Sequence, residues 1–549
     1  MFVGARLTED SEDVRENQIA TATILLDGVA SCVASLVELN SRRVGTASEG
    51  ACEVGLLPRR RGGGVEVCRH IKHQAIFERR LSRGKERHWN YPGFSVRSAS
   101  GAWKTQPMSD EPLDNSSAGP KAGDDEERQK TDEERLMEEI VEQKDLVDAL
   151  TCDTHEEIVH RNSQEKKLGQ LEFKYHLMVE KKRLGRVLLK FQELYGDLYS
   201  ETCLICLDDI HVHASESLTK QLVCCGGFIC SSCARDIRES DYMGFGGKCP
   251  LCRGSFGDKT EAENAAKLMT LAKRGVIWAQ THVGKGMIDG AKGFKKQVQT
   301  GLEWINQAAA QNYPAALYQL YNYYRDGIAP ELENSEGMAS ENLMKAANLG
   351  YAAANSTLAK CYIQGTNGFE EDPDEFYFRA SVAFALENTN EQAAFILGSL
   401  HYFGFEKDTP EPFSYLACHY QNIVVNDSTG AASYFYGHSL LRLSDHLHGN
   451  NIASGSNDMP AVVFWLRKSL GMGYKDAREL LKKLETDGQS LCANCSKEAK
   501  TGEKFKQCSK CKAQWYCCKE CQVEAWRAGH KKDCKRAAIL KFEDYLNAE

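Results

Sequence analysis

The chain has 549 residues, 42% apolar and 26% charged, and a net charge of −9 at pH 7. This is too long for one hydrophobic core and implies roughly three to five segments; the acidic balance argues against a general nucleic-acid coat. The longest apolar stretch, Ile24–Val37, is broken by Asp27 and falls short of the ~20 residues a membrane helix needs. Glu9, Asp10, Glu12 and Asp13 precede any apolar run, unlike a signal peptide, so the expected location is intracellular, cytoplasmic or nuclear.

Charge is distributed unevenly. Arg42–Lys104 holds 14 basic and 5 acidic residues, whereas Ser109–Lys144 holds 5 basic and 13 acidic. Neither composition suits a packed domain, and residues 1–125 read as a mostly disordered tail, with Ile19–Leu39 as a short amphipathic helix. The change in composition near Met108 reads as an alternative translation start. In 126–200 Gly and Pro nearly vanish, and Leu184, Val187, Leu188, Phe191, Leu194 and Leu198 recur at helical steps. One or two long helices are expected, either a solvated arm packed on the next domain or a dimerising coiled coil.

Of 22 cysteines, eight lie in Cys203–Cys252 and eight in Cys492–Cys534. Inside a cell, clustered CxxC pairs are metal sites before they are disulfides. The central order, in 201–256, is Cys203-x2-Cys206, Cys224-Cys225, Cys230-x2-Cys233 and Cys249-x2-Cys252, enough ligands for two zinc ions. It resembles a RING finger of the all-cysteine kind. The resemblance implies a cross-brace, with Cys203, Cys206, Cys230 and Cys233 on one ion and Cys224, Cys225, Cys249 and Cys252 on the other. Gly227 stands where that family usually has His, and His211 and His213 are possible substitute ligands. RING ubiquitin ligases recruit a ubiquitin-conjugating enzyme through an apolar residue between the first cysteines, a proline or apolar contact near the last pair, and a basic residue beyond it. Ile205, Pro250 and Arg253 fit those positions; the alternative is that they are local core, turn and surface residues.

Residues 276–485 repeat internally, within a segment expected to span 262–486. Ala315-Ala316-Leu317-Tyr318 parallels Ala393-Ala394-Phe395-Ile396, and Gly290, Gly327, Gly365 and Gly404 follow at intervals of 37, 38 and 39 residues. Each Gly suits a left-handed helix stop, and each unit needs a stacked neighbour to bury its apolar face. The pattern resembles the Sel-one-like repeat, a relative of the tetratricopeptide repeat. It implies a solenoid of about five units with a protein-binding face, the last unit stretched by an insertion at Gly449–Asp458. His282, His401 and His438 read as packed or surface residues, not catalytic ones.

At the C-terminal end come Cys492-x2-Cys495, Cys508-x2-Cys511, Cys517-x3-Cys521 and His530-x3-Cys534. Eight ligands make two closed four-ligand sites, with no position left for water, and His530 and Cys534 share a helix face. With Trp515, Tyr516, Gln522, Trp526 and Gly529, residues 492–534 resemble the MYND finger. That family's interleaving implies one zinc on Cys492, Cys495, Cys517 and Cys521 and another on Cys508, Cys511, His530 and Cys534, leaving Cys518 out. It also implies capture of short proline-containing peptides beside Gln522 and Trp526, although Trp526 is equally a core residue of so small a module. Residues 535–549 read as a tail.

The expected fold class is therefore mainly α: a helix-turn-helix solenoid flanked by two small two-zinc modules, with a disordered N-terminus and a helical arm. Two functions fit, a zinc-binding protein-interaction scaffold or a RING-type ubiquitin ligase. Neither calls for a small-molecule substrate, a membrane or nucleic acid. No methyltransferase segment, phosphate-binding loop or Ser/His/Asp arrangement stands out.

Overall fold

The computed structural model describes residues 131–151, 155–211, 219–239, 248–254, 260–328, 335–403, 414–425, 429–448 and 458–548. The expected tail with its Ile19–Leu39 helix, Met108, His213, Gly404 and the insertion at 449–457 lie outside the described residues.

The Glu/Lys/Leu-rich segment forms α1 (Asp132–Asp148) and the 41-residue α2 (His155–Tyr195). They fold as a hairpin because each carries an apolar stripe: Leu136, Ile140 and Val147 meet Leu168, Leu171, Tyr175 and Met178. Three short antiparallel pairings follow in the cysteine-rich modules. In the central module β1 (Glu201–Thr202) pairs with β2 (Asp209–Ile210), and β3 (Thr219–Gln221) with β4 (Phe228–Cys230), which leads into α3 (Ser231–Glu239). At the C-terminal end β5 (Lys506–Gln507) pairs with β6 (Trp515–Tyr516).

Between the modules lies a stack of helical hairpins. It opens with α4 (Glu261–Lys273), started by a capping box in which Thr260 Oγ1 accepts from the Glu263 N–H at 3.3 Å and the Glu263 carboxylate accepts from the Thr260 N–H at 2.9 Å. Five hairpins follow: α5 (Ile277–Asp289) with α6 (Val298–Ala309), α7 (Pro314–Asp326) with α8 (Glu336–Asn348), α9 (Ala352–Gln364) with α10 (Pro373–Leu386), α11 (Glu391–Phe403) with α12 (Ser414–Ile423), and α13 (Ala431–His448) with α14 (Met459–Gly471). A last helix, α15 (Asp476–Ser490), closes the stack. Gly290, Gly327 and Gly365 end α5, α7 and α9 with φ of 68°, 59° and 59°, the left-handed conformation their period suggested. Successive clusters of buried apolar side chains run along the stack, with Ala316, Ala346, Ala380 and Ala394 fully buried within them.

The arm does not stand in solvent. Along its length α2 packs on α10, α12 and α13. Phe191 is completely buried beside Val382 and Leu386, and Phe173 sits 5.1 Å edge-on from Phe542. Polar groups are buried in the same seam. Glu180 pairs with Arg183 at 2.6 Å and accepts from Tyr420, while Arg183 donates to Ser381 Oγ at 3.0 Å.

Residues 535–549, expected as a tail, instead complete α17 (Lys531–Arg536), which carries Cys534, and fold back as α18 (Phe542–Asn547). Phe542, Tyr545 and Leu546, at helical spacing, are buried, and Arg536 donates to Asp458 Oδ1 at 3.0 Å. Five large apolar or aromatic side chains (Ile539, Leu540, Phe542, Tyr545 and Leu546) within a charged run were too few to stand out in the composition. Among the described residues, no helix is long and apolar enough to cross a membrane.

Candidate metal centres and their surfaces

Four turns share one backbone conformation. In each, a CxxC is followed by a residue in the left-handed region: Leu207 (φ 64°), Arg253 (φ 60°), Ser496 (φ 53°) and Lys512 (φ 57°). In each, that residue's N–H donates to the carbonyl of the first cysteine, at 3.0, 2.9, 2.9 and 3.1 Å respectively. Such a conformation costs a non-glycine residue on the order of 1 kcal/mol or more. Its recurrence at four equivalent places indicates turns held by what their thiols bind. Two remaining pairs sit where a strand passes into a helix. Cys230 ends β4 and Cys233 lies in α3, while Cys517 follows β6 and Cys521 lies in α16 (Lys519–Ala525). Cys224 and Cys225 occupy the β3–β4 turn, and a π-helical turn, Trp526–His530, delivers His530 ahead of Cys534.

Among the described residues, potential metal ligands gather in four groups: Cys203, Cys206, Cys230 and Cys233; Cys224, Cys225, Cys249 and Cys252; Cys492, Cys495, Cys517 and Cys521; Cys508, Cys511, His530 and Cys534. Within each, the ligand atoms all lie within 4.8 Å of one another. Zinc–sulfur bonds of about 2.3 Å in a tetrahedron place sulfurs about 3.8 Å apart. The Sγ–Sγ separations are 3.9 Å for Cys206–Cys230, 3.9 Å for Cys225–Cys249, 3.6 Å for Cys495–Cys517 and 3.9 Å for Cys508–Cys534. His530 offers Nε2, at 3.3 Å from Cys508 and 3.2 Å from Cys534. These spacings are far from the ~2.05 Å of a disulfide, and the sets, all sulfur or sulfur with one imidazole, suit zinc.

Backbone N–H groups favour the thiolate at the first cysteine of each module, although burial pushes other thiols of the same groups, such as Cys224 and Cys521, up. Burial raises the Cys203 thiol, but the N–H groups of Cys230, Cys206 and Ile205 more than offset it and bring it down to about 6. At Cys492 burial is likewise overcome, by the N–H groups of Cys495, Cys517 and Asn494, giving about 7.

His211 is exposed and belongs to none of the groups. At Gly227, where the RING pattern usually has His, a Cβ would lie 2.7 Å from Leu204 Cδ1 and 3.0 Å from Leu251 Cδ1, so the chain passes beneath two knuckle leucines. The adjacent pair Cys224 and Cys225 reaches one group with sulfurs 4.0 Å apart. Cys518 stands outside and caps α16, its Sγ accepting from the Cys521 N–H at 3.4 Å. The solenoid histidines have packing roles: His282 Nε2 contacts Gln221 Oε1 at 2.8 Å, His438 Nδ1 contacts the Tyr402 hydroxyl at 2.9 Å, and His401 stacks on Tyr420 at 5.5 Å.

Two surfaces flank these groups. On the central module Ile205 is 40% exposed, Arg253 is exposed and Pro250 is half-buried. Leu204, Leu207 and Leu251, not singled out by motif, are exposed beside them; their only sequence signal was apolar side chains in knuckles too short to bury them. The module's other side is seated on the solenoid, where Trp278 Nε1 donates to the Gly226 carbonyl at 3.1 Å and Phe228 meets the Trp278 ring edge-on. On the C-terminal module Gln522 and Trp526 are half-buried, and the Lys510 ammonium lies 5.2 Å from the Trp526 ring centre. That module also touches the solenoid, since Trp515 packs where any Cβ on Gly488 of α15 would lie.

Residues 492–534 match the MYND finger family. Among solved structures the chain is similar to a Sel1 repeat protein from Oxalobacter formigenes at 19% identity and a TM-score of 0.32, covering 42% of this chain and 84% of that one. It is also similar to c5321, a protective antigen of uropathogenic Escherichia coli displaying an SLR fold, at 18% identity and a TM-score of 0.34 over 50% of each chain. A third similarity is to a Sel1 repeat protein from Klebsiella pneumoniae, at 18% identity and a TM-score of 0.24, covering 40% of this chain and 98% of that one. The C-terminal zinc module, residues 492–534, is thus a MYND finger.

Proposed function

We propose that this protein is an interaction scaffold organised by four structural zinc ions, two in each cysteine module, with the four groups above as their ligands. No group leaves a ligand position for water, so the ions serve folding and not catalysis. The C-terminal finger captures short proline-containing peptides beside Gln522 and Trp526, while the solenoid holds both modules and offers further protein-binding surface. The observation that carries this reading is the half-exposed Trp526 on a finger whose other side is anchored to the solenoid: an aromatic anchor is kept open while the module itself is fixed. A pull-down with zinc-loaded full chain and proline-containing peptides tests it. Binding should fall at least tenfold in Trp526→Ala while zinc content is unchanged; equal binding by that variant would remove Trp526 from the capture site.

A second reading, a RING-type ubiquitin ligase, is favoured by the exposed group Leu204, Ile205, Leu207 and Leu251 beside Arg253. Exposed apolar side chains on a module this small suit a partner. Purified protein with ubiquitin, its activating enzyme and a panel of conjugating enzymes decides it. Chains that vanish with Ile205→Ala or Arg253→Ala support the ligase, and no chains with any conjugating enzyme leave the scaffold alone.

A further inference from the structure

The chain as a whole carries −9, yet Cys492–Arg536 holds 12 Lys and Arg against 5 Asp and Glu, a net +7. Seven thiolates and two zinc ions would reduce that excess to about +4, still opposite in sign to the rest of the protein. The basic side chains are not spread evenly. Lys519, Gln522 and Trp526 follow at i, i+3 and i+7 and so share a face. Lys510 reaches the same face through its contact with the Trp526 ring. Lys506 lies on β5 opposite Tyr516, three residues before Lys519 opens α16. All three lysines are exposed, and no described residue holds any of them in an ion pair. β5 has a single strand partner, β6, in its two-stranded sheet, so its second edge can pair with an extended chain.

We infer that this face selects acidic peptides: an extended segment laid along β5, its apolar residue on Trp526, with carboxylates flanking that residue opposite Lys506, Lys510 and Lys519. The inference rests on the peptide-capture reading and adds the partner's charge. Three exposed ammonium groups set specificity and encounter rate more than they set raw affinity, and their effect is screened by salt.

The test uses zinc-loaded full chain and three fluorescein-labelled peptides with one proline-containing core, flanked by Glu, Gln or Lys, read by anisotropy at 50 and 300 mM NaCl. Expected is roughly tenfold tighter binding of the Glu peptide than of the Gln peptide at low salt, shrinking at high salt. The triple variant Lys506→Gln, Lys510→Gln, Lys519→Gln should erase that preference while keeping the zinc content. Equal affinity for the Glu and Gln peptides would overturn the inference and leave peptide capture standing. If no peptide binds, peptide capture falls and the inference with it. A labelled single-stranded oligonucleotide serves as control, and its displacing the Glu peptide would make this a nucleic-acid face and overturn the inference too.

Discussion

The Arg379 guanidinium, buried within α10, donates to the Tyr195 hydroxyl at the end of α2 at 2.6 Å. It also donates to Glu375 at 3.0 Å, Asn348 at 3.1 Å and Asn355 at 3.3 Å, and it lies 4.5 Å from the Tyr195 ring centre. A cation taken out of water costs several kcal/mol unless its donors are satisfied, so the arm helps to complete the solvation of a solenoid charge. This makes the arm part of the solenoid's fold.

It follows that Arg379→Ala should destabilise the chain by about 3 kcal/mol, because Glu375, Asn348 and Asn355 lose their shared donor. Tyr195→Phe removes one acceptor and should cost about 1 kcal/mol. Urea unfolding measures both, and hydrogen exchange should show α2 opening first in the arginine variant. Unchanged protection of α2 would contradict the coupling.

Metal analysis should find four zinc ions per chain, and the cysteines should separate cleanly. Cys517→Ser should lose one ion, whereas Cys518→Ser, which alters only a helix cap, should keep all four at a cost of about 1 kcal/mol or less. Stripping zinc should unfold both modules and leave most helical circular dichroism, since the stacked hairpins have their own core.

Acid should loosen the seam between arm and solenoid. Burial pushes His401 and His419 each down to about 4, against the opposing pull of Glu180. A folded-state value below the unfolded value of ~6.5 means the unfolded chain binds more protons between those limits. The stability is therefore complete above about pH 6.5 and falls as pH drops toward 4. Each histidine should cost roughly 2 kcal/mol by pH 4.5. The thermal midpoint should decline over that window, less steeply in a His401→Gln, His419→Gln variant.

Gly284→Ala tests a close helix crossing. Its Cβ would lie 2.7 Å from the Gly301 carbonyl oxygen, and backbone cannot move aside as a side-chain end can. A loss of about 1–3 kcal/mol in urea unfolding is expected. Gly185→Ala, whose Cβ meets nothing within 4 Å, is the control and should be neutral or slightly stabilising.

Sequence by itself determined what depends on local spacing. Thiols separated by two residues can meet one ion within a single local turn, and a glycine every 37 to 39 residues can end a helix wherever the helix lies, so the ligand candidates and the repeat were legible in the sequence. Tertiary structure decided what depends on residues far apart in the chain. Nothing in the sequence marks Glu180 and Arg183 as interior, and it is Tyr420 and Ser381, some 200 residues away, that make them so. The same holds for Phe542 on Phe173 and for Trp278 beneath Gly226. Burial is a property of both partners, and a sequence pattern describes one at a time.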